Sequence, residues 1–134
     1  MPSDIDASHL DVINYAFAVI YTQFNVVNYE WDDFDFYAQL QAKKQTNPKL
    51  QTFISIGGWN FNLFDSTKYF FSNMASTSSN RAHFIQSAIA FAHTHGFDGI
   101  DIDWEYPGWA DQGGNPSDTP NFNSFVLPSL LSID

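Results

Sequence analysis

The stretch Phe97-Asp98-Gly99-Ile100-Asp101-Ile102-Asp103-Trp104-Glu105-Tyr106-Pro107 carries acids at every second position from Asp101 of a segment that otherwise reads as a buried strand. Side chains alternate faces along a strand, so Asp101, Asp103 and Glu105 share one face and Ile100, Ile102 and Trp104 the other. Neighbours in the acidic row stand roughly 6.6 Å apart along the strand, close enough to interact electrostatically. Crowded carboxylates in a partly desolvated site do not all ionise cheaply, so at least one is expected to hold its proton near neutral pH. The row is therefore a candidate proton donor. A solvated strand face or a cation site would use the same residue types. An EF-hand loop is excluded, because isoleucines interleave the acids and no glycine turn with a distant Glu follows. A metal-binding Asp-x-Asp of the sugar-nucleotide transferase kind leaves the Glu and the Trp-Glu-Tyr-Pro ending unexplained.

Working outward, the segment before the row, Asn80 to His95, places Phe84, Ile85, Ala88, Ile89 and Ala92 on one helical face. Ser79 or Asn80 is expected to cap its start, and Gly96 its end. Upstream, Asp11 to Tyr21 is a nearly continuous apolar run, the pattern of a strand covered on both faces in a parallel sheet. Leu50 to Ile56 is a second strand, closing on Gly57-Gly58-Trp59. Between them Asp32 to Gln45 has an acidic start and a basic end, which favour a helix stopped by Asn47-Pro48. A loop of Asn and Phe residues and a short helix, Ser66 to Ala75, follow the second strand. After the acidic row, a Gly/Pro/Asp loop runs from Gly108 to Asp118. Thr119-Pro120 then caps and opens a last helix, with Phe122, Phe125, Val126, Leu130 and Leu131 on one face and Pro128 expected to kink or shorten it. The order strand, helix, strand, helix, strand requires right-handed crossovers and a parallel α/β sheet.

Fifteen Asp and Glu against five Lys and Arg leave a formal charge of -10, which removes nucleic acid as a partner. No apolar stretch approaches a membrane span, and the polar start Met-Pro-Ser-Asp-Ile-Asp is unlike a secretory signal. Without cysteine there is neither a disulfide framework nor a thiol nucleophile. The histidines His9, His83, His93 and His95 have no metal-like spacing to the acids, so no metal and no cofactor is expected. Rings are abundant, 14 Phe, 6 Tyr and 4 Trp, and serve packing first.

Asp98, Asp101, Asp103 and Glu105 form Asp-x-x-Asp-x-Asp-x-Glu, and with Trp-Glu-Tyr-Pro after it the chain resembles glycoside hydrolase family 18, the chitinases and their relatives. Tyr-Ala-Phe-Ala in the first strand and Ser-x-Gly-Gly in the second resemble the second and third strands of that family's barrel. The resemblance implies that residues 1–134 are part of a (β/α)8 catalytic domain, a partial TIM barrel holding about strands two to four. A whole barrel takes ~250 residues, so the chain reads as a piece of a longer protein, from which a signal segment could have been lost. The resemblance further implies hydrolysis of β-1,4-linked N-acetylglucosamine polymers, outside the cell, by a route in which the substrate's own acetamido group is the nucleophile. Glu105 would be the acid, Asp103 the residue orienting the acetamido group, and Asp101 a proton or hydrogen-bond partner of Asp103. Asp98 would be structural. Phe17, Gly58, Trp59, Trp104 and Tyr106 would bind substrate, with ordinary core packing an equal reading for Phe17. The two glycines suit a sharp strand end that a ligand approaches closely. An endo-β-N-acetylglucosaminidase or a non-catalytic chitinase-like lectin remains open, although such lectins usually lack the acid. Family members carry a substrate-contacting tyrosine and a tryptophan floor on later strands, so these 134 residues alone are expected to be inactive, with open sheet edges available for self-association.

Overall fold

The computed structural model describes residues 1–129. A four-stranded sheet has the order β2-β1-β3-β4, where β1 is Val12–Ile20, β2 Val26–Asn28, β3 Gln51–Gly57 and β4 Gly99–Asp103. β1, β3 and β4 are parallel neighbours, as the alternation of strand and helix requires. The helices are α1 (Asp33–Ala42), α2 (Trp59–Leu63), α3 (Phe70–Ala75), α4 (Ser78–His95) and α5 (Asp118–Ser129).

β2 is an element absent from the sequence reading. It pairs antiparallel with β1, Val19 opposite Val27, after a tight turn in which Gln23 and Phe24 take left-handed φ values of 57° and 63°. No glycine or Asn-Gly pair announces that turn, and three residues are too few to show a period. α2 is the other unanticipated element, formed inside the segment read as a loop. The short helix expected from Ser66 begins only at Phe70.

The helix ends follow local chemistry. The Asp33 carboxylate, buried in the first turn of α1, accepts the backbone N–H groups of Tyr29 and Glu30 at 2.8 and 2.7 Å and the Tyr15 hydroxyl at 2.6 Å. At the other end, Lys43 and Lys44 lie in a 3-10 turn after α1. Lys43 holds the carbonyls of Ser3 and Ile5, and Lys44 the carbonyl of Gly96. α4 is capped by Thr77, whose hydroxyl accepts from Asn80 N–H at 3.1 Å, instead of by Ser79 or Asn80. Its expected stop is observed, Gly96 at φ 75°. α5 starts at Asp118, one residue ahead of Thr119, and continues through Pro128 to Ser129. The side chain of Val126, and Leu130 and Leu131, lie outside the described residues.

One face of the sheet is packed. Ala18, Ile20, Ile54 and Ile56 are wholly or almost wholly buried and share a core with Phe71, Met74, Phe84, Trp104 and Phe125 from the helices and the end of β4. Each of the three isoleucines contributes about 2 kcal/mol of burial. The other face carries Asn14, Ala16, Ser55, Asp101 and Asp103, and Asn14 and Ala16 are exposed. β1 is thus covered on one face along this half, not on both as its apolar run implied. At the register shift between Ala16 and Ala18 the alternation of β1 slips, so Ala18 and Ile20 enter the core while Phe17 and Val19 turn to the acidic side.

Candidate active site

The acidic residues rise along β4 and the turn after it. Asp98 stands at the foot. Its carboxylate accepts the Thr52 N–H at 2.7 Å and pairs with Lys44 at 2.6 Å, binding the strand start to β3 and to the end of α1. Burial raises the Asp98 carboxyl, but the bonds from Lys44 and Thr52 outweigh it and hold it below the usual range.

Asp101 lies opposite Ser55 in the parallel register, and the Ser55 hydroxyl donates to its Oδ2 at 2.7 Å. Asn14 Nδ2 approaches the same oxygen at 3.5 Å from β1. Ser55 opens the Ser-x-Gly-Gly motif but was given no role from the sequence, and Asn14 was not singled out. Ser55 was legible in principle, by counting back two positions from Gly57, whereas Asn14 needs the pairing of β1 with β3. The Asp103 carboxyl is pushed upward first by burial, then by the charges of Glu105 and Asp101.

Beyond Asp103 the strand ends and the chain turns. Asn62 of α2, itself buried, accepts the Glu105 N–H at 3.4 Å. Glu105 faces a pocket of about 260 Å³ lined also by Phe17, Val19, Tyr29, Gly57, Gly58, Trp59, Asn60 and Phe64. Phe17, Gly58 and Trp59 thus line the same pocket as Glu105. The Tyr106 hydroxyl is raised first by its hydrogen bond with the Glu105 side chain and then by that residue's charge. The Ala16–Phe17 and Glu105–Tyr106 peptide bonds are cis.

The glycines serve the protein's own packing. A Cβ on Gly57 would stand 2.6 Å from the Asp103 carbonyl oxygen and from the Phe71 ring, and one on Gly58 would stand 2.8 Å from the Phe17 ring. The groups that approach them closely are therefore Asp103, Phe71 and Phe17. Trp104 is a correction. Assigned to substrate binding, it is 5% exposed and stacks on Phe71 at 5.2 Å, with Phe122 edge-on at 5.8 Å. Strand alternation sends it to the helix side, away from the acids. Trp109, by contrast, was missed. It stacks on Tyr106 at 5.8 Å and lies 6.0 Å from Trp59.

A parallel β/α sheet with its acids stacked at the carboxyl end of one strand agrees with a family match. The model of the glycosyl hydrolases family 18 matches residues 2–128. The chain belongs to this family. Chitotriosidase-1 of Mus musculus is 35% identical over 125 residues, 93% of this chain and 25% of the relative. Among solved structures, an immunomodulatory active chitinase of Trichuris suis superposes with a TM-score of 0.83 at 36% identity, covering 97% of this chain and 32% of that one. A chitinase-like agglutinin of Robinia pseudoacacia superposes with a TM-score of 0.79 at 32% identity, covering 96% and 36%. The chain thus spans about a quarter of the curated relative and a third of the solved ones. Within family 18 both names, chitinase and agglutinin, attach to this architecture, a TIM barrel of which β1, β3 and β4 are consecutive parallel strands.

Proposed function

We propose that the acidic row is the catalytic centre of a chitinase-type hydrolase that cleaves β-1,4 links between N-acetylglucosamine units. The observation that carries this reading is the position of Glu105: it follows the row past the strand end and faces a pocket walled by Trp59, Phe17 and Gly58. Barrel enzymes act at that end of their strands.

Glu105 delivers a proton to the departing glycosidic oxygen. Asp103 accepts a hydrogen bond from the substrate's acetamido N–H, which aims the acetamido carbonyl oxygen at the anomeric carbon. The bond from that oxygen forms as the glycosidic bond breaks, giving an oxazolinium-like intermediate whose positive charge the row stabilises. Burial, then the charges of Glu105 and Asp101, raise the Asp103 carboxyl, and the positive charge that develops on the substrate relieves this crowding. Glu105 then takes a proton from water, whose oxygen attacks the anomeric carbon from the face the leaving group vacated as the bond to the acetamido oxygen breaks, so configuration is retained. Ser55 and Asn14 hold Asp101 beneath this pair. An extracellular setting suits a polymeric substrate.

The described residues supply the acids and one pocket wall, so we expect this chain alone to turn over far more slowly than a complete barrel. The test replaces the matching segment of mouse chitotriosidase-1 with this chain and follows the anomeric proton of the first product from chitin oligosaccharides by NMR. The β-anomer appearing first supports the route, and the α-anomer contradicts it. The likeness to the agglutinin supports a second reading, a site that binds sugar without cutting it. Tight binding by a folded, inactive chimera would favour that reading.

A further inference from the structure

Trp109 lies in the loop after the acidic row and has no part in the chemistry above, yet its ring is placed with care. It is 39% exposed and sits between Tyr106, nearly parallel to it at 27°, and Trp59, tilted by 49°. Those two rings are also about half exposed. Trp59 lines the pocket that Glu105 faces, and Tyr106 is the residue that follows Glu105 in the chain. Three rings therefore make one continuous aromatic surface leading outward from the acid.

The loop holding Trp109 is built to keep it there. Trp109 N–H donates to the Tyr106 carbonyl at 3.2 Å, and its own carbonyl accepts the N–H groups of Gln112 and Gly114 at 3.0 and 2.9 Å. Gly114 passes so near that a Cβ on it would stand 2.5 Å from the Trp109 nitrogen. The buried Asp118 carboxylate clasps both ends of the loop, accepting from Gly108 N–H at 3.3 Å and Asn115 N–H at 2.6 Å, and is itself fixed by the Ser72 hydroxyl at 2.8 Å. An exposed indole normally carries a conformational cost on binding, and one held in place beforehand avoids most of it.

We propose that Trp109 is a sugar-stacking residue that extends the site beyond the pocket, so that β-linked N-acetylglucosamine oligosaccharides are bound more tightly as they grow longer. Such sugars present flat C–H faces to aromatic rings and keep their hydroxyls in water, which matches a half-exposed indole. The inference rests on the function proposed above, and it concerns only residues this chain contains.

The experiment is calorimetric titration of this chain, carrying Glu105→Gln to prevent turnover, with chitobiose, chitotetraose and chitohexaose. Affinity is expected to rise with length. Trp109→Ala should remove that rise, weakening chitohexaose roughly ten-fold and chitobiose little, while Trp59→Ala should weaken every length. Trp109→Phe should behave like the parent and Trp109→Leu like the alanine variant, which separates ring stacking from loss of bulk or of fold. Unchanged length dependence in Trp109→Ala, or equal affinities for the Phe and Leu variants, would overturn the proposal while leaving the proposed function standing. A parent chain that binds none of the three sugars would overturn this proposal, whereas the proposed function is decided separately by turnover in the barrel chimera. A dimer of the parent that Trp109→Ala converts to monomer, with sugar affinity unchanged, would assign the surface to a second copy of the chain instead.

Discussion

Gly57 and Asp103 face each other at the ends of β3 and β4, so close that a Cβ on the glycine would stand 2.6 Å from the Asp103 carbonyl oxygen. The next residue strengthens the join, Gly58 N–H donating to that same oxygen at 2.9 Å. The height at which Asp103 sits is thus set by a glycine on the neighbouring strand.

Gly57→Ala should therefore be costly. The residue takes φ 111°, the new methyl would meet backbone on one side and the buried Phe71 ring on the other, and neither can retreat easily. A loss of about 2–4 kcal/mol is expected from urea unfolding at neutral pH. Gly96→Ala, at φ 75° but with its nearest foreign atom 3.4 Å away on the flexible Gln41, should cost about 1 kcal/mol. Equal effects would mean that conformation, not crowding, decides both.

Asp103 should make stability depend on pH. Its folded carboxyl is raised above the ordinary aspartate value by burial and by its acidic neighbours. A raised group contributes stability below its unfolded pKa, and that contribution is lost as pH rises through the folded value. Asp103→Asn should accordingly match the parent near pH 3.5 and exceed it at pH 7 in urea midpoint. A parent that gains on the variant as pH rises would reverse the sign and contradict the crowding.

Much of this arrangement was legible in the sequence, and what was not has physical causes. β1, β3, β4 and α4 announce themselves through apolar runs and period. The acidic face follows from simple alternation, which also assigns Trp104 to the opposite, packed face. The resemblance in Trp-Glu-Tyr-Pro pulled Trp104 toward the substrate, whereas alternation by itself places it correctly. Phe17 needed the register shift at Ala16 to reach the pocket, and no local pattern marks such a shift. Asn14 reaches Asp101 only across two strand pairings. Trp109 lies in a loop whose course is set by Asp118, a buried acid that reads in sequence as an ordinary turn residue.

Asp118 should for that reason be a stability centre. It is 1% exposed and accepts three hydrogen bonds, so Asp118→Ala leaves two backbone N–H groups and a hydroxyl without their acceptor. A cost of about 2–4 kcal/mol is expected. Hydrogen exchange should show the loss of protection centred on Gly108 and Asn115, and a uniform loss across the sheet would argue against a local role.

The most direct test of the account is release of a fluorophore from a chitotrioside conjugate by the barrel chimera carrying this chain, measured with Glu105 intact and as Glu105→Gln. Turnover is expected with Glu105, and a fall of about 10²–10⁴-fold in the variant, with sugar binding retained. Equal turnover in the two proteins would contradict the assignment of Glu105 as the acid.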